Sequence, residues 1–417
     1  MGGYKTGTDN SLLTTSKIAN DMLARFKNNL VLTKSIYRDL ESQFGEVGDT
    51  ISVRLPNSVI VNKGRVATKT TPLNDNTVSL VITEQDNVKF SWTMKDKKLS
   101  IVDFGARYLE PAANRLANEV DMAVAREMRL AYTQFGTVGQ PLSHNDITMG
   151  NAYARDIAIP SDTMCRIILN TIDTANITNE IKQSYNEQLV GDAIRKGYIG
   201  QIEGFDRYYS QNIISHTVGS HTGTEQVDTE LSDGNQLAVK GSASGALLKG
   251  DRFTISGVKE INPITKQITG RLQVFTVISE GGLAGATGTV TISPRINDGT
   301  GTTTDANGTS ITTEMDQTVS GKALANASIT VIGDANGTYR ENFIMHRDSI
   351  AMAMVYQDLP QSAHGSAVSD KQTGLKLNVA EYFDGDNYIN SMRLDTLYGV
   401  KIVRPDLIMR ATCEKIG

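Results

Sequence analysis

The chain has 417 residues, 39% of them apolar and 21% charged, enough for a sizeable core spread over roughly two or three domains. Forty-one basic against 46 acidic side chains leave a net charge of −5, which excludes a protein that grips nucleic acid through clustered cations. Two cysteines, Cys165 and Cys413, exclude a disulfide scaffold and a thiolate zinc cluster, and no run of eighteen apolar residues offers a membrane span.

Residues 16–30 are spaced as an amphipathic helix. Ile18, Met22, Phe26 and Leu30 recur every four, with Ala19 and Leu23 beside them, and Thr15 or Ser16 offers a capping hydroxyl. This apolar stripe needs a partner, in its own domain or on another subunit. From Asp49 to Lys95 the period falls to two: Ile51, Val53 and Leu55, then Val88, Phe90 and Trp92, alternate with polar residues around turn-rich stretches. The simplest reading is a long two- or three-stranded β arm, which gains stability by lying on a neighbour. A longer helix comes next, from about Glu110 to about Tyr132, with Ala113, Leu116, Val120, Val124 and Met128 on one face and an Arg115–Glu119 pair on the other.

Residues 160–215 mix strand and helix. Met164–Leu169 reads as a buried strand, Tyr185–Arg195 as a helix, and Gly197–Asp206 as a glycine-punctuated strand and turn. From about 216 to about 340 the chain turns rich in Gly, Thr, Ser and Asn. Short strands such as Arg252–Ile255, Leu272–Ile278 and Thr289–Ile292, the last closed by Pro294, predict a small all-β sandwich or barrel. Mixed structure resumes after 340, including a helix-compatible Ile350–Val355.

Chemical constellations are nearly absent. The five histidines fall mostly in polar, loop-like sequence, and His216 and His221 lack zinc-site spacing. Cys165 lies in an apolar run and reads as a core residue. Lys249–Gly250–Asp251 reads as an ordinary hairpin turn, and Asp384–Asn387 falls short of a calcium loop because position twelve is Asp395 and position six is Ile389. No catalytic residue, cofactor or metal is expected, and the chain is not read as an enzyme.

The order of parts is more specific than any motif: a helix, a long β arm, a long helix, a mixed domain interrupted by a β segment, and a mixed end. Three stretches add to it: Gly197-Tyr198-Ile199-Gly200 through Gly204-Phe205-Asp206, Leu247 to Val258, and Leu397-Tyr398-Gly399-Val400 with Arg404-Pro405-Asp406. Together they resemble the major capsid protein of tailed bacteriophages with the HK97-type fold, and look closest to short-tailed phage coat proteins of the P-22 type.

The resemblance implies an α+β fold: an N-terminal arm (1–48), an extended β-hairpin loop (49–97), the spine helix of a peripheral domain (98–136), an axial domain (137–215), an inserted β-barrel (216–340) and a C-terminal part of the axial and peripheral domains (341–417). It implies a structural protein of the virion capsid, assembled in the bacterial host cytoplasm into hexamers and pentamers of an icosahedral head. It further implies a scaffolding protein, a portal protein, enclosed double-stranded DNA without sequence-specific contacts, and no membrane partner. The stretch between Phe205 and Lys249 is shorter than the family's pattern leads one to expect. Lys63, Arg65 and Lys69 on the exposed arm are expected to pair with acidic groups of an adjacent subunit, and Phe26, Arg115 and Glu119 complete the expected interface. The alternative is a surface module that recognises a glycan or receptor through the β segment.

Overall fold

The computed structural model describes residues 15–38, 50–56, 59, 62, 64–65, 76–93, 110–184, 201–241, 247–279, 287–304, 310–312, 316–356, 364–370 and 375–416. They fall into two compact units. The first comprises Met1–Ser52, Ser79–Val124 and Ala351–Lys401, and the second Val53–Val78, Ala125–Ile350 and Ile402–Gly417.

In the first unit the expected helix forms over Thr15–Asn29. Ala19, Met22, Leu23 and Phe26 are buried, and the helix packs on the strands His364–Asp370 and Leu375–Asp384. The stripe thus meets its own chain. Those two strands belong to a five-stranded sheet with Ile389–Ile402, Ile350–Val355 and Glu84–Thr93. The Glu84–Thr93 strand pairs antiparallel with Ile389–Ile402 over ten residues, from Glu84 opposite Tyr398 to Thr93 opposite Ile389, without a register shift. It is therefore not a third strand of the arm. Its alternating Val88, Phe90 and Trp92 gain cover from the sheet that a free hairpin would not give. Thr50–Arg54 pairs instead with Thr77–Val81, a strand the sequence reading did not single out.

Ile350–Val355 is a strand, with all six residues buried, and not a helix. Six residues are too few to repay helix nucleation, whereas a strand buried on both faces suits an unbroken apolar run. The long helix spans Glu110–Met128, 19 residues, and ends one turn before the expected Tyr132. Its last turn tightens, with Leu130 N–H donating to Glu127 O at 3.0 Å and Ala131 N–H to Met128 O at 3.1 Å. The chain then joins a sheet, because Thr133–Gln134 pairs with Met409 and Arg410. In the first unit this helix also supplies Asp121, whose buried carboxylate accepts the N–H groups of Val31 (2.8 Å), Leu32 (3.2 Å) and Thr33 (3.0 Å) and the Thr33 hydroxyl (2.7 Å).

The second unit holds a seven-stranded sheet ordered Thr133–Gln134, Ile408–Ile416, Thr338–His346, Cys165–Leu169, Phe205–Tyr209 and Gln201–Ile202, with His216–Thr217 also paired to Thr338–His346. Two helices, His144–Asp156 and Thr171–Ser184, accompany it. The first starts at a capping box, where the Ser143 side chain accepts Asp146 N–H and Asp146 reaches back to Ser143 N–H. Ile147, Ala154, Cys165, Ile167, Leu169, Phe205, Ile344, Met409 and Cys413 share one core. The helix expected over Tyr185–Arg195 lies outside the described residues.

A separate six-stranded sheet runs in the order Ile329–Val331, Arg252–Ile261, Ile268–Val277, Thr287–Asn297, Asp233–Lys240 and Gln226–Val227. Its last strand turns back towards its first: Val227 N–H donates to Ala327 O at 3.0 Å, and Ile329 N–H to Glu225 O at 2.9 Å. Its interior holds Val239, Ile255, Val277, Ile292 and Ile329, with Phe253 and Phe275 stacked at 5.8 Å between centroids. The strand Thr287–Asn297 runs on through Pro294, contrary to the expected stop. Pro294 sits where the pairing jumps from Ile296 to Thr291, an irregularity that needs no ladder N–H from it. The chain leaves the seven-stranded sheet at Thr217 and rejoins it at Thr338, and these two residues pair with each other.

Candidate functional site

Strand alternation builds a polar hub where the chain passes between the two sheets of the second unit. On Ile408–Ile416, Met409, Ala411 and Cys413 face the apolar core, so Arg410 and Thr412 face the other way. Arg410 is 1% exposed, as is Glu341 on the neighbouring strand. Arg410 Nε donates to Glu341 Oε1 at 2.6 Å, and Nη2 donates to the same oxygen. Its Nη1 donates to the backbone oxygens of Arg129 at 2.5 Å and Gly250 at 2.8 Å. A second buried guanidinium comes from the six-stranded sheet: Arg252 Nη1 donates to Arg410 O at 2.9 Å, and Nη2 donates to the Thr412 hydroxyl. Burial, and then the charge of Arg410, hold Arg252 well below the usual guanidinium range.

Asp251 completes the hub. Its carboxylate meets His216 Nε2 at 2.7 Å and accepts the N–H groups of Gly219 at 3.0 Å and Leu248 at 2.7 Å. Lys249–Gly250–Asp251 is indeed a turn, with Asp251 N–H on Leu248 O at 2.9 Å, but its carboxylate is buried and the turn is no ordinary one. Gly250 is required there: φ is +91°, and a Cβ would lie 3.0 Å from Arg129 Nε. Burial lowers the His216 pKa, outweighing the hydrogen bond to Asp251 that raises it. The buried histidines also correct the solvated-loop reading, since His216 and His346 are both enclosed and His346 Nε2 lies 3.1 Å from Asp162.

The thiols are enclosed as well. Burial raises the pKa of Cys165 and pushes that of Cys413 well up, so neither is an activated nucleophile. Among the described residues, no group of three or more His, Cys, Asp or Glu side chains is placed to hold a metal ion. At the tip that resembles a calcium loop, Asp384 instead accepts N–H groups from Asp386 and Asn387 in its own turn.

Three of the expected interface residues, Phe26, Arg115 and Glu119, belong to the first unit. Phe26 is fully buried within its own unit. Arg115 and Glu119 form their i, i+4 pair at 2.5 Å on the outer face of the long helix, with the Arg115 side chain 70% exposed. Arg65 is exposed, while Lys63 and Lys69 lie outside the described residues. Sequence reasoning missed Arg410, Glu341, Arg252 and Asp251. One signal was present, a single cation inside the apolar run from Ile408 to Cys413.

The family model described as "P22 coat protein - gene protein 5" matches residues 10–410. No curated protein matches the chain. Among solved structures, a chain described as Mycobacterium phage Che8 is 13% identical, covering 92% of this chain and 90% of that one, with a TM-score of 0.46. The capsid of Ralstonia phage GP4 is 10% identical over 94% and 91%, with a TM-score of 0.46. A virus-like particle from Pyrococcus furiosus is 9% identical over 95% and 98%, with a TM-score of 0.41.

Proposed function

That this chain belongs to the P22 coat protein family is the premise from which we propose how it works. It is a major capsid subunit, a structural protein of the virion that assembles with copies of itself into a shell. The observation that carries this is the family match over residues 10–410. Nothing among the matches supports a glycan- or receptor-binding module.

We read the finer architecture as the HK97-type fold with an inserted barrel. Three features support this: the order of arm helix, two-stranded arm and long helix; the six-stranded sheet whose last strand turns back towards its first; and its attachment through two adjacent strands. On this reading the subunit builds hexamers and pentamers of an icosahedral head in the bacterial cytoplasm, with a scaffolding protein and a portal as partners. A shell closes by symmetric repetition of interfaces, each of which can be modest because every subunit makes several. A chain of net charge −5 suits the wall of a container for double-stranded DNA, since a basic wall would hold the genome by counterion release. On the same reading Lys63, Arg65 and Lys69 pair with acidic groups of an adjacent subunit, and the exposed Arg115–Glu119 face contributes to the same class of contacts.

Negative-stain electron microscopy of the purified chain, alone and with a candidate scaffolding protein, tests the reading. Closed shells, or irregular shells and tubes without scaffold, are expected. A uniform monomer under both conditions overturns it.

A further inference from the structure

The chain enters the six-stranded sheet just before Gln226–Val227, and one acidic side chain there has no counter-charge. Glu225 is 1% exposed. Its Oε1 accepts the Thr222 N–H at 2.7 Å and the Thr222 hydroxyl at 3.0 Å. Its Oε2 is buried without a hydrogen-bond partner, and among the described residues no cation pairs with it. Burial pushes the Glu225 carboxyl up, but the backbone N–H groups it faces hold its pKa below the ordinary value, so it is charged at neutral pH. A buried carboxylate oxygen with neither donor nor cation is costly, and such an atom marks a bound water or ion.

What stands around this carboxylate is oxygen. Thr222 Oγ1 lies 2.9 Å from Thr224 Oγ1 and 3.4 Å from Gly241 O, and Thr224 Oγ1 lies 2.8 Å from the same carbonyl. Gly241 presents that carbonyl from a left-handed turn with φ +74°, where a Cβ would lie 2.7 Å from Thr224 O. Thr222 and Thr224 are exposed, so the oxygens open to solvent above a buried charge. The two oxygens of Glu225 share one carbon, which places the orphaned Oε2 beside the same group.

One carboxylate, two hydroxyls and one carbonyl are hard donors. Calcium takes such donors, roughly 6–8 oxygens at 2.3–2.6 Å, and fills its remaining positions with water. Ligands at that range stand about 3 Å or slightly more from one another, close to the separations seen here. Magnesium asks for a tighter, regular octahedron and gives up its own water reluctantly. Such a site needs no cluster of three acidic or sulfur ligands.

We propose that Glu225, Thr222, Thr224 and the Gly241 carbonyl bind a calcium ion. The ion ties the start of Gln226–Val227 to the end of Asp233–Lys240, its antiparallel neighbour through Val227–Val239 and Gln226–Lys240. The Glu225 carbonyl meanwhile accepts the Ile329 N–H at 2.9 Å, so the ion fastens the seam where the last strand turns back towards the first. A single carboxylate places the affinity at about 10⁻⁴–10⁻³ M. The site then fills where free calcium is millimolar, and not where calcium is scarce. Nothing in it depends on assembly into shells.

The test uses the full chain, titrated calorimetrically with calcium chloride and melted with and without it, beside magnesium chloride at matched ionic strength. Saturable calcium binding is expected, with a melting temperature raised by about 3 °C or more at about 10 mM and a weaker response to magnesium. Glu225→Gln keeps the shape and removes the charge, and is expected to weaken calcium binding by about tenfold or more. Thr224→Val, at an exposed position, keeps the fold and weakens binding several-fold. A wild-type chain with no heat of binding and no calcium-dependent melting overturns the site and leaves Oε2 to a water. A calcium response that survives intact in Glu225→Gln overturns it too, because the ion then sits elsewhere.

Discussion

Arg410 is a guanidinium taken almost wholly out of water, and its surroundings answer it atom by atom with Glu341 and the carbonyls of Arg129 and Gly250. Removing one member of such a pair leaves the other charged and buried. Arg410→Ala is expected to cost about 3–5 kcal/mol in denaturant unfolding, whereas Arg410→Met combined with Glu341→Leu costs much less than the two single changes summed. His216 adds a pH dependence. Its Nδ1 has no hydrogen-bond partner among the described residues, which suits a neutral ring donating from Nε2 to Asp251. A proton on Nδ1 would bury a donor without an acceptor, near Arg410. The folded-state pKa lies below the ordinary 6.5, so below that pH the unfolded chain binds more protons than the folded one. This contribution is complete above pH 6.5 and is lost as pH falls through the folded value. His216→Gln is expected to flatten that part of the pH profile of the melting temperature.

At the scale of elements, Asp121 of the long helix fastens the turn that follows the Thr15–Asn29 helix, and Arg25 adds a bond from that helix to Glu110 at 2.8 Å. The donors on Asp121 come from three successive residues, so a substitute acceptor would have to face all three at once. Asp121→Ala would strand the buried N–H of Thr33, and is expected to cost about 2–5 kcal/mol. Selective loss of amide-exchange protection over residues 19–36 checks it. The helices bearing Met22, Phe26, Leu116 and Val120 were legible because their spacing is local. Ile350–Val355 was not, because an unbroken apolar run looks alike in a short buried strand and in a helix. The polar hub was hidden for a different reason. His216 and Asp251 are 35 residues apart, Arg410 and Glu341 are 69 apart, and Arg252 and Thr412 are 160 apart. Local pattern carries no trace of pairings made by folding.

At the scale of the whole molecule, function was legible through the order of parts. Lys63, Arg65 and Lys69 could be singled out as cations of the expected arm, but the exposure of Tyr382, Phe383 and Tyr388 became visible only in three dimensions. The same holds for the attachment of the six-stranded sheet. Thr217 and Thr338 are cross-strand partners, with hydroxyls 2.8 Å apart and Val218 N–H on Gly337 O at 2.9 Å. The chain thus leaves and returns through strands about 5 Å apart, and what lies between is tied back by Arg252 and Gly250 on Arg410 and by Thr276 on Ala131 O at 3.1 Å. A segment whose two ends lie a strand-spacing apart asks little of the register of the sheet that carries it. What it does supply is the cover that Asp251 gives His216 and Arg252 gives Arg410 and Thr412. A shell built from this chain repeats that hub, and the six-stranded sheet that caps it, once in every subunit.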